Sequence, residues 1–187
     1  MRKSLSDMTI QELWELFPIQ LTEHKEYWND WYQEEQEFLS SFLPKKVRIY
    51  HIGSTSIRGI RAKPIIDLLA EASLGDHQTI KELLLKNGYI CMASSKNRMD
   101  FNKGYTPDGF AERVFHLHLR DFGDHDELYF RDYLNEHPEI AKEYEKLKLS
   151  LWKPFEHDRD GYTEQKTDFV RKYTQRAKKQ YGKGKYK

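Results

Sequence analysis

Gly53-Ser54, Asp67 and the pair His116 and His118 are the residues whose types and spacing suit chemistry. His51-Ile52-Gly53-Ser54-Thr55-Ser56 reads as a strand running into a Gly-Ser turn. Such a turn offers backbone N–H groups and a hydroxyl to a phosphate, so Gly53, Ser54 and Thr55 are candidate phosphate ligands. Lys63-Pro64-Ile65-Ile66-Asp67-Leu68-Leu69 reads as the next strand, carrying one carboxylate. A carboxylate there can hold a divalent metal, Mg²⁺ or another, beside that phosphate. Together the two segments suggest a nucleotide site. Between Ile66 and Leu68, an unpaired Asp67 would be costly, so a metal, a cation or N–H donors must compensate it. Lys63 suits either role, pairing Asp67 or meeting phosphate.

His116 and His118 form an H-x-H pair that points to one side of a strand, roughly 7 Å apart. They are candidate metal ligands with Asp67, with His118 also a candidate catalytic base; hydrogen-bonded histidines on a sheet face are the alternative. Whether His51 joins them is not set by spacing. Lys103, before Gly104 at a strand end, and Arg131, on an expected helix, are candidate phosphate contacts. Lys148 and Lys166 read as solvated helix charges, and Tyr162 with Lys166 as a common i, i+4 surface pair.

The elements that must position these residues follow from local pattern. Thr9-Ile10-Gln11-Glu12 matches a capping box, and Pro18 ends that helix. A helix is expected from about residue 23 to 43, with Trp28, Trp31, Phe38, Leu39 and Phe42 on one face and Glu34, Glu35 and Glu37 toward water. Strands are expected at 47–52 and 65–70, the second buried on both faces, with a short helical link at 55–60. A helix follows at 76–87, stopped by Gly88, and then a strand at 89–93. Strands at 99–105 and 113–120 should form a hairpin about Thr106-Pro107-Asp108-Gly109. The last third reads as helical, with Pro138 at a first turn, a final helix from about Tyr162 and a frayed basic tail at 182–187. The expected class is α+β, a small mixed β-sheet covered on one face, with flanking α-helices and helical N- and C-terminal extensions, in one domain over 1–187. Its parts are helical 1–45, sheet core 46–120 and C-terminal helices 121–181.

Bulk properties narrow the classes. Charged residues are 33% at net charge +1, which gives no strong field for nucleic acid or membrane. Aromatic residues, 14% of the chain, supply core volume despite a mean hydropathy of -0.88. Cys91 is the one cysteine and reads as a small buried hydrophobe. The N-terminus lacks an apolar leader region and no apolar run reaches membrane length, so a cytoplasmic setting is expected. Oligomeric state is left open.

These segments resemble the GrpB family of the nucleotidyltransferase superfamily. The resemblance is carried by Phe17-Pro18-Ile19-Gln20-Leu21, by His51 to Ser56 through Lys63 to Asp67, and by Lys103-Gly104, His116-Leu117-His118, Phe130 to Leu134 and His137-Pro138. It implies a nucleotidyltransferase-like mixed sheet and transfer of a nucleotidyl group from an NTP to an acceptor, with carboxylates binding Mg²⁺. The superfamily pattern after the Gly-Ser turn has two acids, Asp-x-Asp or Asp-x-Glu, whereas this chain has Asp67-Leu68-Leu69. A third carboxylate on a later strand has His118 in its place. Glu71 and Glu112 are poor substitutes, one too far along the strand and the other near the hairpin turn. Two further readings are therefore carried forward. One is a catalytically degenerate protein that binds a nucleotide or a CoA-type phosphate ligand, since some chains in the family are joined to dephospho-CoA kinase. The other is a metal-dependent phosphohydrolase using Asp67, His116 and His118.

Overall fold

The computed structural model describes residues 3–182 and 184–186. Helix α1 (Ile10–Leu16) begins with the expected capping box, in which Thr9 and Glu12 satisfy each other's backbone N–H groups. Past Phe17 the chain runs as a strap whose Phe17, Ile19 and Leu21 side chains are buried. Ile19 donates its N–H to the Glu156 carbonyl, and the Trp152 indole donates to the Ile19 carbonyl. Helix α2 (Tyr27–Phe42) starts later than its amphipathic pattern suggests.

Five strands follow: β1 (Arg48–Ile52), β2 (Ile66–Ala72), β3 (Ile90–Ser94), β4 (Arg98–Thr106) and β5 (Gly109–Asp121), with α3 (His77–Lys86) between β2 and β3. They form one sheet in the order β1-β2-β5-β4-β3, in which only β2 and β5 run parallel. The predicted hairpin turn is closed by Thr106, whose hydroxyl donates to the Gly109 carbonyl at 2.8 Å. Four helices complete the chain: α4 (Asp126–Glu136), α5 (Pro138–Trp152), α6 (Arg159–Glu164) and α7 (Thr167–Tyr181). The class is the expected α+β, a mixed five-stranded sheet with flanking helices.

Alternation sorts the strand residues onto two faces. Leu68, Ala70, Phe101, Leu117 and Leu119 pack under Trp28 and Leu39 of α2 and Ile80 and Leu84 of α3. Burying each such side chain contributes about 1.5–3 kcal/mol. The second face is not bare, as one-sided cover would require. Leu128 of α4 packs on Ile52 and Leu69 at its β1–β2 end. A separate apolar cluster joins Ile57 and Ile60 of the β1–β2 link to Tyr133, Tyr144 and Tyr173, and so fixes the helices beside the site.

Local expectations are corrected in four places. Glu35 does not face water; it is buried and accepts from the Tyr89 hydroxyl and from Lys103. Cys91 is only partly buried, because β3 is an edge strand whose Ile90 and Met92 are exposed. The final helix is two, broken at Gln165–Lys166. The described part of the tail is not frayed: Tyr186 donates to the Leu128 carbonyl and to Asp132, and Lys185 pairs with Asp132.

Candidate functional site

The β1–β2 link turns at Gly53 with φ 72° and ψ -172°, a conformation open to glycine and strained for other residues. A Cβ at this position would lie 2.1 Å from Asp67 Oδ2, so glycine is also what lets the Asp67 carboxylate sit against the turn. The turn is held by its own side chains. Ser56 Oγ donates to the Gly53 carbonyl at 2.7 Å. The Thr55 hydroxyl donates to the Ile65 carbonyl at 3.3 Å and lies 3.0 Å from His51 Nε2. Thr55 is therefore buried as a latch, its hydroxyl engaged by the Ile65 carbonyl and His51. Ser54 stands beside Tyr144 of α5, whose phenol burial pushes up to about 12, with Ser54 opposing.

Across the second face, Asp67 of β2 pairs in register with His116 of β5, and His118 of β5 with Asp100 of β4. His116 Nδ1 lies 3.2 Å from Asp67 Oδ1, and His118 Nε2 lies 3.9 Å from the same oxygen. Each imidazole is anchored from behind. His116 Nε2 meets the Tyr105 hydroxyl at 2.8 Å, and His118 Nδ1 meets Asp100 Oδ1 at 2.8 Å. Arg159 donates to Tyr105, and the buried Arg120 donates to Asp100.

The protonation pattern follows from these contacts. Burial pushes the Asp67 carboxyl up, but hydrogen bonds from His116 and His118 outweigh it and hold it well below the usual carboxylate range. Burial likewise opposes charge on His118, yet Asp100 and Asp67 raise it to about 9. His116 shifts down, burial prevailing over Asp67. At neutral pH the face therefore holds an imidazolium between two carboxylates, beside a neutral imidazole whose Nδ1–H faces Asp67.

Cations form the facing wall. Lys63 and Lys166 approach the Tyr162 ring at 5.6 and 4.1 Å. Arg159 lies over Tyr105, and Lys148 over Tyr144 at 5.0 Å. Burial first, and then Arg159 and Lys166, push Lys63 down to about 7. Burial lowers Lys148 to about 7 and Lys166 to about 8. Lys148 is thus no solvated charge, and its ammonium donates to the Arg61 carbonyl.

The structure gathers Gly53, Ser54, Lys63, Asp67, His116 and His118, and separates the rest. Lys103 projects from the opposite face and pairs with Glu35 at 2.7 Å, so it is no phosphate contact at this cleft. Arg131 of α4 donates to the His51 carbonyl at 2.8 Å and lines a different cavity of about 830 Å³ behind the turn. His51 stacks on Tyr32 and is pushed by burial down to about 4, away from the other histidines. Glu71 is fully buried under Gly123 and His125, and Glu112 is exposed. Asp100, Tyr105, Tyr144 and Arg159 carry no sequence signal that marks a site, and Lys148 and Lys166 read from sequence as surface charges.

A two-metal centre does not fit this donor set. Leu69, where a second acid would stand, is buried in an apolar cluster. Asp100 is committed to His118 and Arg120, and a metal ion at His118 would have to displace the proton that Asp67 and Asp100 hold there. Among the described residues no group of three or more His, Cys, Asp or Glu side chains is disposed to hold a metal ion. Also among them, no helix is long and apolar enough to cross a membrane.

Residues 18–176 match the family model described as GrpB protein. UPF0157 protein YqkA of Bacillus subtilis is 34% identical over 166 residues, covering 86% of this chain but only 48% of YqkA. Glutamate-rich protein GrpB of Alkalihalophilus pseudofirmus is 34% identical over 80% of this chain and 90% of its own. The chain thus spans about half the length of YqkA and nearly all of the second relative. The crystal structure of conserved protein GrpB from Enterococcus faecalis superposes with a TM-score of 0.75 at 29% identity, over 87% of this chain and 99% of that one. Cid1, described as an RNA terminal uridylyl transferase, reaches a TM-score of 0.49 at 10% identity, too slight a likeness to bear on function.

Proposed function

This chain belongs to the GrpB family, and from that premise we propose that its Asp67 cleft binds the phosphate groups of a nucleotide or another phosphorylated small molecule. One observation carries the reading: the Gly53-Ser54 turn lies against Asp67, whose carboxylate is within electrostatic reach of Lys63 and Lys166, with Arg159 beside Lys63. Turn N–H groups and the Ser54 hydroxyl suit phosphate oxygens, and the cations suit phosphate charge. A cytoplasmic setting, rich in such ligands and reducing for Cys91, belongs to the same reading.

The test is equilibrium binding of ATP, CoA and pyrophosphate to the full chain and to a Lys63→Met/Lys166→Met variant. Binding that weakens at least tenfold in the variant is expected. If no phosphorylated compound binds the parent chain, the reading fails.

Nucleotidyl transfer is the second reading, favoured by the His118–Asp100 pair facing Asp67. An acceptor hydroxyl would lose its proton to solvent and bond through its oxygen to the α-phosphorus as the bond between that phosphorus and the bridging oxygen breaks. His118, an imidazolium at neutral pH, would give its proton to the departing pyrophosphate. Incubation with labelled NTPs and pools of small-molecule, RNA and protein acceptors tests it, and label remaining wholly in the NTP counts against it.

A further inference from the structure

We propose that the phosphate ligand of this cleft is a polyphosphate chain of three or more negative charges, neutralised by lysine and arginine in place of divalent cations. The inference deepens the phosphate reading and rests on it. Its ground is how each charge on the site is met. Lys63 and Lys166 are half-buried, and among the described residues neither ammonium makes a hydrogen bond or an ion pair. Their nearest company is the Tyr162 ring they share. Arg159 gives one N–H to Tyr105 and has further donors on the same guanidinium. Lys148, 2% exposed, lies behind them and is already committed, its ammonium to the Arg61 carbonyl and its charge to nearby Glu145.

Two carboxylates, Asp67 and Asp100, face the site, and the His118 imidazolium and the Arg120 guanidinium balance them. Lys63, Lys166 and Arg159, once the lysines are protonated, then leave three positive charges for a ligand. A monophosphate ester brings about two negative charges and falls short. A pyrophosphate group, free or within a nucleoside di- or triphosphate, meets the need. A divalent cation entering the same space would meet repulsion from these three cations and find one carboxylate, Asp67, already held by histidines.

The titration of the wall agrees with this geometry. The groups that face it are Asp67 of β2, His116 and His118 of β5, and Tyr144, Lys148 and Arg159 of the C-terminal helices. Burial is the largest cause of the lowering of Lys63, Lys148 and Lys166, to about 7, 7 and 8. An anion laid among them restores their protons, so binding takes up protons from solvent near pH 8.

Calorimetric titration of the full chain with ATP, ADP, AMP and pyrophosphate tests the proposal, each ligand in EDTA and again in excess Mg²⁺. Two buffers of different ionisation enthalpy at pH 8 report the proton count. We expect ATP and pyrophosphate to bind in EDTA at least as tightly as in Mg²⁺, more than tenfold tighter than AMP, and with net proton uptake. Lys63→Met and Lys166→Met should each weaken pyrophosphate at least tenfold, in protein whose unfolding midpoint shows it folded. Binding that requires Mg²⁺, or AMP binding as tightly as ATP, overturns this inference and leaves the phosphate reading standing. Absence of binding by all four ligands in both conditions overturns both.

Discussion

The two faces of the sheet are built from alternate residues of the same strands, and they treat charge in opposite ways. On the α2 and α3 face, Lys103 lies among the rings of Phe38, Tyr89 and Phe115 and pairs with the buried Glu35. That charge is answered inside the protein. On the other face, Lys63 is half-buried beside one ring, and its neighbouring charges are mostly positive. Two lysines, each beside aromatic rings, thus differ in whether the fold supplies the counter-charge. The first arrangement stabilises the fold, and the second costs stability that an anion would return.

That contrast can be broken by experiment. Phe101→Ala on the apolar face should cost about 3–5 kcal/mol, seen in chemical denaturation, without changing anion affinity of the folded fraction. A matching loss of affinity would mean the faces are not independent. Gly53→Ala should cost about 1–3 kcal/mol from backbone strain alone. Its Cβ also meets Asp67, so pyrophosphate binding should be lost, and a variant that binds normally would remove the turn from the site.

The lysines should then respond with opposite signs. Lys103→Met should lower stability by about 2 kcal/mol, because Glu35 keeps only the Tyr89 hydroxyl. Lys63→Met should raise the unfolding midpoint of the ligand-free protein by removing a poorly compensated charge. Midpoints moving in the same direction would refute the contrast.

The smallest effect separates the histidines, followed by NMR titration. His118 should titrate near 9 and His51 near 4, against an ordinary 6.5. The raised value means His118 contributes stability fully below about pH 6.5 and loses it as pH rises through about 9. The lowered value means the folded chain resists protonation of His51, so stability falls as pH drops from 6.5 toward 4. Asp100→Asn should return His118 toward 6.5 and leave His51 unchanged; two histidines that both titrate near 6.5 would dissolve the distinction.

Sequence pattern disclosed the strand, turn and strand around Gly53 and Asp67 because turn chemistry and β alternation are local. It misassigned Lys103 and overlooked Asp100 for one shared reason. Extending the predicted hairpin unchanged from Tyr105↔Phe110 pairs Lys103 with Glu112, on the His116 side, and Asp100 with Phe115, on the apolar side. Around Gly104 the register slips: five steps along β5, from Phe110 to Phe115, answer two along β4, from Tyr105 to Lys103. The odd slip exchanges the two sides, so Lys103 meets Phe115 and Asp100 meets His118. Gly104, with φ 91° and no room for a Cβ against the Arg113 carbonyl, marked the place without revealing the size of the slip. Lys148, Arg159 and Lys166 escaped for another reason. Their meeting depends on how α5, α6 and α7 dock: the i, i+4 spacing puts Lys166 beside Tyr162, but helical periodicity does not say that this face turns inward.

The single parallel pairing, β2 with β5, also sets the order in which the protein can be built. When β2 leaves the ribosome, its partner on one side, β1, has already been made, while the partner on the other lies beyond α3, β3 and β4. Until β5 arrives, Leu68, Leu69 and Ala70 line an open strand edge, the kind of surface on which chains aggregate. Asp67 also waits for both of its histidines throughout that interval. The site is thus among the last features synthesis can complete, and nascent chains stalled before residue 109 should need chaperones more than those released after residue 121.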